Sequence, residues 1–343
     1  MGQQLPSAVN ASELDRSQHL ALAIDIGGSK AEIAVIDAHG TARTLAVKQP
    51  VPFGQDGRAD PARLIELFAP HVVEAQRLPG QLDGIGLSIC GNIDPDTGEA
   101  VLVPNLHWRY LPFGPMVAAR FGLSVYAATD VRMAALAEAI WGVARGVRYF
   151  AWCTIGTGYG GYLFLDGKLY GGTHGFAGNF GHNTIDEVDG YPCGCGRRGC
   201  LETYVAGPAI ARAGQAALDA GRSPELSQIC TDGRVVTHMV FQAATAGDPA
   251  CRAIIDEVVR RVAIGLGGVV NTLDLDMIVV GGGVAHGDPE LVPRINRKIR
   301  DYLMTVEAAR DLRVVMESLP NSALYGAAAD VFIRSGVLEL ETG

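Results

Sequence analysis

Leu20-Ala21-Leu22-Ala23-Ile24-Asp25-Ile26-Gly27-Gly28-Ser29-Lys30 is the stretch that decides the fold. The apolar run 20–24 reads as a buried strand, and it ends on a carboxylate followed by two glycines. A second apolar run, 31–37, reads as the returning strand of a hairpin, and 41–48 as a third strand. Residues 61–78 repeat apolar side chains at helical spacing, and 84–90 reads as a fully buried strand. A Pro- and Gly-rich loop follows over 91–105, then a helix near 112–121, a strand over 123–128 and a helix that begins after Asp130.

The pattern then restarts. Residues 149–155 are apolar and end at Gly156-Thr157-Gly158, and 161–165 reads as the returning strand. Strand, glycine turn and strand thus occur twice, about 130 residues apart, the mark of an internal repeat. The expected fold is α/β, with two similar lobes of one β-β-β-α-β-α plan and a cleft between them. The second copy carries an insert over 171–202, a helical stretch over 203–272, a strand over 277–280 and Gly281-Gly282-Gly283. A helix, a strand over 312–316 and a final helix from 323 complete it. The expected division is a polar tail 1–19, a first lobe 20–130 and a second lobe 131–322. Whether the helix within 323–343 rejoins the first lobe is left open.

A chain of 343 residues fits two domains better than one core. Its 44 glycines suit an α/β enzyme with many tight turns. The net charge of −9 argues against nucleic acid or an anionic membrane as partner. The first residues show no basic-then-apolar leader, and no apolar run reaches the ~18 residues of a membrane span. A cytoplasmic enzyme is the expectation. Its seven cysteines are then expected to be reduced, which favours metal ligation over disulfides. Cys90, Cys153, Cys230 and Cys251 read as small core residues.

The other three cysteines lie close together. Gly181-His182 is followed by Cys193-Gly194-Cys195 and by Gly199-Cys200-Leu201-Glu202. Three thiolates and one imidazole complete a tetrahedral zinc shell, and a closed set of four argues for a structural ion. A disulfide pair is the plainer alternative. Glu202 follows the last ligand at once, so the metal is expected to hold a polar group in place.

Phosphate chemistry is written elsewhere. In Asp25-Ile26-Gly27-Gly28-Ser29-Lys30 the glycines let backbone N–H groups approach phosphate oxygens, and the carboxylate suits Mg²⁺. Thr157 and Gly158 offer a hydroxyl and amides at the equivalent place in the second copy. Gly281-Gly282-Gly283 lies between a buried strand and a helix, as a nucleotide-contact turn does. Either glycine hairpin alone reads equally well as an empty turn; together they make a clamp for a triphosphate. Asp130 sits at a helix start, where the dipole favours the anion. It reads either as an N-cap or as a general base.

Together these motifs resemble the ROK family of sugar kinases and sugar-responsive repressors, of the glucokinase and N-acetylmannosamine kinase type. The family lies within the actin-like ATPase superfamily, with its duplicated ribonuclease H-like unit. The resemblance runs from Leu20 to Asp330 with the motifs in the family's order. It implies that Asp130 takes a proton from a sugar hydroxyl, usually that on C6, which then attacks the γ-phosphate of Mg·ATP. It implies that His182 binds zinc and faces the sugar, that Glu202 accepts from sugar hydroxyls, and that Gly91, Asn92 and Asn105 touch the sugar from the first lobe. A homodimer is implied in the same way.

Two positions depart from the family. Thr129 stands where Asn is usual, and Asn179 where Glu is usual. Both contact sugar hydroxyls in relatives, and a lost charge-assisted bond is typically worth ~1.5–3 kcal/mol. The expected substrate is a hexose or modified sugar with glucose bound less well, the alternative class being an amino sugar, N-acetyl sugar or cyclitol rather than glucose. Two other readings remain: a sugar-binding regulator and a pseudokinase without turnover. Family repressors carry an N-terminal winged helix-turn-helix, whereas only the polar stretch 1–19 precedes the first strand here. The retained Asp130 favours the enzyme.

Overall fold

A computed structural model describes residues 16–340. Residues 1–15 and 341–343, and so most of the polar stretch 1–19, lie outside the described residues. The chain divides into two compact units. One runs to Arg145 and resumes at Ser318; the other is Gly146–Glu317. The division falls after Arg145 rather than at Asp130, and the final helix belongs with the first unit.

The first unit contributes β1 (His19–Ile26), β2 (Lys30–Asp37), β3 (Val47–Pro50), β4 (Gln81–Ile89), β5 (Asn92–Ile93), β6 (Ala100–Val103), β7 (Trp108–Leu111) and β8 (Val125–Thr129). Its main sheet has the order β3-β2-β1-β4-β8. The first three strands are antiparallel neighbours, and β1, β4 and β8 run parallel. Both faces of β1 are covered, which is why it reads as a continuous apolar run. Leu20, Leu22, Ile24 and Ile26 join a core with Leu64 and Phe68 of helix Pro61–Arg77 and with Val117 of helix Phe113–Phe121. Ala21 and Ala23 face the other way, toward Leu324, Ala327, Val331 and Phe332 of helix Ser322–Arg334. The small side chains let that helix approach closely. A Cβ on Gly86 of β4 would lie 2.0 Å from the Ala327 carbonyl oxygen. Gly86→Ala is therefore expected to cost about 1–3 kcal/mol, read as a lower urea midpoint. An unchanged midpoint would contradict the close approach.

The second unit repeats the plan with β9 (Phe150–Ile155), β10 (Tyr159–Leu165), β11 (Lys168–Tyr170), β12 (Met277–Gly281) and β13 (Arg313–Met316). Their order is β11-β10-β9-β12-β13, again with antiparallel neighbours on one side of β9 and parallel ones on the other. Helix Pro249–Leu273 opens on Asp248, whose carboxylate accepts from the Cys251 N–H at 2.8 Å. It packs Val258, Val262 and Leu266 into the core with Ile278 and Val280 of β12.

Several expectations need correction. The third strand is Val47–Pro50, not 41–48. The loop expected over 91–105 holds β5 and β6, which with β7 form a separate three-stranded sheet. These strands run two to four residues, too short to show an alternating pattern. The helical stretch 203–272 is five helices, Glu202–Val205, Gly207–Asp219, Pro224–Ile229, Thr237–Ala246 and Pro249–Leu273. Proline opens three of the last four within their first two positions. Among the described residues no helix is long and apolar enough to cross a membrane.

Candidate active site

In the first unit the polar residues collect at the carboxyl ends of three adjacent parallel strands, where open α/β sheets bind ligands. Register pairs Asp25 of β1 with Ser88 of β4, and Ile89 with Thr129 of β8. Asp130 follows at once and opens helix Asp130–Ile140. The Ser88 hydroxyl donates to Asp25 Oδ1 at 2.7 Å, and Asn321 Nδ2 donates to Asp25 Oδ2 at 3.2 Å. The Val131 N–H and the Thr129 hydroxyl both donate to Asp130 Oδ1, at 2.9 and 3.1 Å. Both bonds fall on one oxygen.

Electrostatics at this edge run against the helix-dipole expectation. Burial, and then the nearby Asp25 carboxylate, push the Asp130 carboxyl up to about 6. Burial also raises Asp25, against the lowering effect of Ser88 and Asn321. Desolvation therefore outweighs the helix start. No cation figures among the chief influences on Asp130, and only Lys48 does so, weakly, for Asp25. Two carboxylates that burial raises, Asp130 with a further push from Asp25 and Asp25 from Glu32, make an oxygen donor set suited to a hard divalent ion such as Mg²⁺.

Gly27 closes the β1–β2 turn by donating its N–H to the Lys30 carbonyl at 2.9 Å. Ser29 and Lys30 are exposed on that turn. Gly28 lies against the side chain of Asn105. Asn105 also hydrogen-bonds the Cys90 thiol, which burial and then Asp130 push up to about 12. Gly91 and Asn92 continue directly from β4, Asn92 pairing with Leu102. Gly27, Gly28, Gly91 and Asn105 thus gather with Asp25 and Asp130. Cys90, read as core, sits beside both carboxylates; Cys153, Cys230 and Cys251 are buried in the core of the second unit.

The second unit holds the other set. The turn Gly156-Thr157-Gly158 is closed by the Gly156 N–H on the Gly158 carbonyl at 3.0 Å, and the Gly207 N–H donates to the Gly156 carbonyl at 2.8 Å. Gly156 and Thr157, with Gly207, Thr237, Phe241 and Gly283, line a cavity of about 570 Å³. Gly281 ends β12 and Gly283 opens helix Gly283–Gly287. Gly282 between them has φ +94°, and a Cβ there would meet Thr154 Oγ1 at 2.4 Å and the Ile155 carbonyl at 2.7 Å. Glu317 braces this turn, accepting from the Gly282 N–H at 3.3 Å and lying 2.7 Å from His286 Nε2.

His182, Cys193, Cys195 and Cys200 offer ligand atoms that all lie within 4.8 Å of one another. Nδ1 of His182 is 3.5 Å from Cys193 Sγ, so Nε2 is the outward nitrogen. All seven cysteines are free. Without a cation the three thiols do not ionise together. Burial pushes Cys200 up to about 12, whereas the Arg197 amide pulls Cys195 down to about 6. A Cys₃His set of this kind fits a tetrahedral zinc ion. Glu202 ties the cluster to the glycine turn: Oε2 accepts from the Tyr159 N–H at 2.9 Å, and Oε1 lies 3.9 Å from Cys193 Sγ. Asn179 is exposed, and its Nδ2 donates to the Phe176 carbonyl at 3.0 Å.

Sequence reasoning missed Ser88, Asn321 and Glu317. Ser88 was visible as the one hydroxyl near the end of an apolar strand, whereas Asn321 and Glu317 arrive from distant chain and carry no local signal.

The ROK family model matches residues 21–332. A glucokinase of Halalkalibacterium halodurans is 31% identical over 294 residues, 82% of this chain and 85% of that protein. A xylose repressor of Caldicellulosiruptor bescii is 31% identical over 218 residues, 64% of this chain and 54% of the repressor. A solved ROK family glucokinase from Streptomyces griseus, in complex with glucose and AMPPNP, matches with TM-score 0.76 at 28% identity. That match covers 90% of this chain and 98% of the glucokinase. With the duplicated sheet plan and the ordered motifs, these matches establish that the chain belongs to the ROK family.

Proposed function

We propose that this chain is an ATP-dependent sugar kinase in which Asp130 is the general base. The observation that carries the reading is the Asp130 carboxyl: it stands at the carboxyl end of the sheet beside Asp25, Oδ1 is held by Thr129 and Val131, and its pKa is lifted to about 6. A base poised near the working pH combines the ionised form with driving force for proton transfer. The sugar hydroxyl, most simply that on C6, gives its proton to Oδ2 as its oxygen bonds to the γ-phosphorus. The bond from that phosphorus to the β–γ bridging oxygen breaks, and ADP leaves. Mg²⁺ bound at Asp25, directly or through water, would neutralise phosphate charge. Gly27 shapes its turn, the Gly28 amide and the hydroxyl and amides of Thr157 and Gly158 would serve phosphate oxygens, and the cavity beside Gly283 takes the adenosine. Zinc held by His182, Cys193, Cys195 and Cys200 is structural in this reading, with Glu202 and His182 Nε2 turned to the sugar. A cytoplasmic homodimer belongs to the same reading.

The sugar class follows from Thr129 and Asn179. The Thr129 hydroxyl is spent on Asp130, and Asn179 presents a neutral amide. Neither offers a carboxylate to a sugar hydroxyl, so a modified hexose is favoured: an amino sugar, an N-acetyl sugar or a cyclitol. The test is coupled ADP release from Mg·ATP against glucose, mannose, glucosamine, N-acetylglucosamine, N-acetylmannosamine and several cyclitols. Turnover highest on a modified sugar supports the assignment; glucose as the best substrate overturns it.

The raised carboxyl has a consequence for pH. Because the base must be ionised, kcat/KM is expected to fall as pH drops through about 6, rather than near the ordinary aspartate value of 3.8. A pH–rate profile flat down to pH 5 would contradict the desolvated environment of Asp130.

A further inference from the structure

Glu138 is fully buried two turns along the helix that Asp130 opens, and the proposed reaction gives it no part. A buried ionised carboxylate is costly unless its lone pairs are satisfied. Here five donors reach it. Oε1 accepts from the Ser318 N–H at 3.0 Å, the Leu319 N–H at 3.2 Å and the Ser322 hydroxyl at 2.8 Å. Oε2 accepts from the Val143 N–H at 2.9 Å and the Ser318 hydroxyl at 3.0 Å. Four of the five belong to residues 318–322.

The same short segment carries Asn321. Its Oδ1 caps helix Ser322–Arg334 at the Leu324 N–H, and its Nδ2 donates to Asp25 and, at 3.1 Å, to Glu32 Oε2. The frame is closed. One helix bears Asp130 at its start and Glu138 along its length; Glu138 fixes 318–322; Asn321 in that segment grips Asp25. We propose that Glu138 is a positioning residue which, through 318–322 and Asn321, sets the Asp25 carboxylate relative to Asp130. This rests on the reading of Asp25 and Asp130 as groups at the reacting phosphate. Apolar packing would hold the segment too, but a carboxylate with several directional acceptor sites fixes orientation as well as contact.

The test is a double-mutant cycle on Glu138→Gln and Asn321→Ala, read in kcat and in the KM for sugar. Gln keeps the shape but turns an NH₂ toward donors on one side. Misplacement of a reacting group by ~1 Å costs up to ~10²-fold, so kcat is expected to fall about 10–100-fold with the KM for sugar unchanged. Because both changes act through one path, the double variant should be no slower than the slower single one. Val72→Ala, a buried change in the same unit, is the stability control. It should lower the melting temperature without lowering kcat. Additive losses across the cycle, or a kcat that tracks melting temperature in Glu138→Gln and Val72→Ala alike, would overturn the proposal. Should Glu138→Gln not fold, Ser322→Ala removes one donor of the five, and its cycle with Asn321→Ala reads the same coupling. If Asp25→Asn and Asp130→Asn abolish turnover while the cycle is additive, only this inference fails. If they retain turnover, the underlying reading fails first.

Discussion

Asp130→Asn is expected to lower kcat by about 10²–10⁴-fold, the usual contribution of a positioned base. The amide keeps an oxygen to accept from Thr129 Oγ1 and the Val131 N–H, so the local geometry survives. What is lost is the ionisable Oδ2. Stability separates this from a folding defect. The folded-state pKa of Asp130 is raised to about 6, so its contribution to stability is present below the ordinary value of 3.8 and is lost as pH rises through about 6. At pH 8 the native carboxylate therefore opposes folding, and it also repels Asp25. The Asn variant is expected to melt at the same temperature as the native chain or above it. Steady-state kinetics with a thermal melt at pH 8 decide the matter. Retained turnover would remove Asp130 from the chemistry, and a lower melting temperature would show that the loss is structural.

Cys200→Ser is the second large effect. Cys200 is fully buried, and the chain passes directly from it through Leu201 into Glu202, which holds the Tyr159 N–H beside the second glycine turn. Removing one ligand of a four-ligand shell opens the set and weakens zinc binding steeply. The native chain is expected to carry one zinc ion per chain by elemental analysis, and the variant far less. Loss of the ion frees His182 and Glu202 together. Disturbing such supporting interactions typically costs ~10–100-fold, and a loss in kcat/KM for sugar of that size is expected. The melting temperature should fall as well, on the order of 10 °C for a loss of a few kcal/mol in a domain of this size. A variant that keeps full activity and stability with no bound zinc would show the cluster to be dispensable.

The fold was legible where apolar runs and glycines punctuate the chain. Leu20–Ile24 alternates large and small apolar residues because helices cover both faces of β1, and that continuous run is what identified the first strand. The second copy was legible for the same reason at β9. The small sheet β5-β6-β7 was not, since strands of two to four residues carry no period. The place of the helix Ser322–Arg334 was also hidden: Ala327 against Gly86 is a close approach between residues remote in sequence. At the site, residues in compact motifs were visible from spacing, as His182 and the three cysteines show. Asn321 on Asp25 and Glu317 on Gly282 were not, because hydrogen bonds made across the fold leave no local pattern. The direction of the Asp130 pKa shift was misjudged for a related reason. Its helix start is written in sequence, but its burial and its closeness to Asp25 are properties of the assembled sheet edge.

The central claim is that phosphoryl transfer from ATP requires a sugar hydroxyl and the Asp130 base. Its most direct measurement is ADP release from Mg·ATP with and without the best sugar of the panel, in the native chain and in Asp130→Asn, with the phosphorylated sugar measured alongside. The account predicts slow release without sugar, strong stimulation by sugar, one phosphosugar formed per ADP, and loss of the stimulation in the variant. ADP release that ignores sugar, or sugar binding by calorimetry with no ADP and no phosphosugar formed, would contradict it.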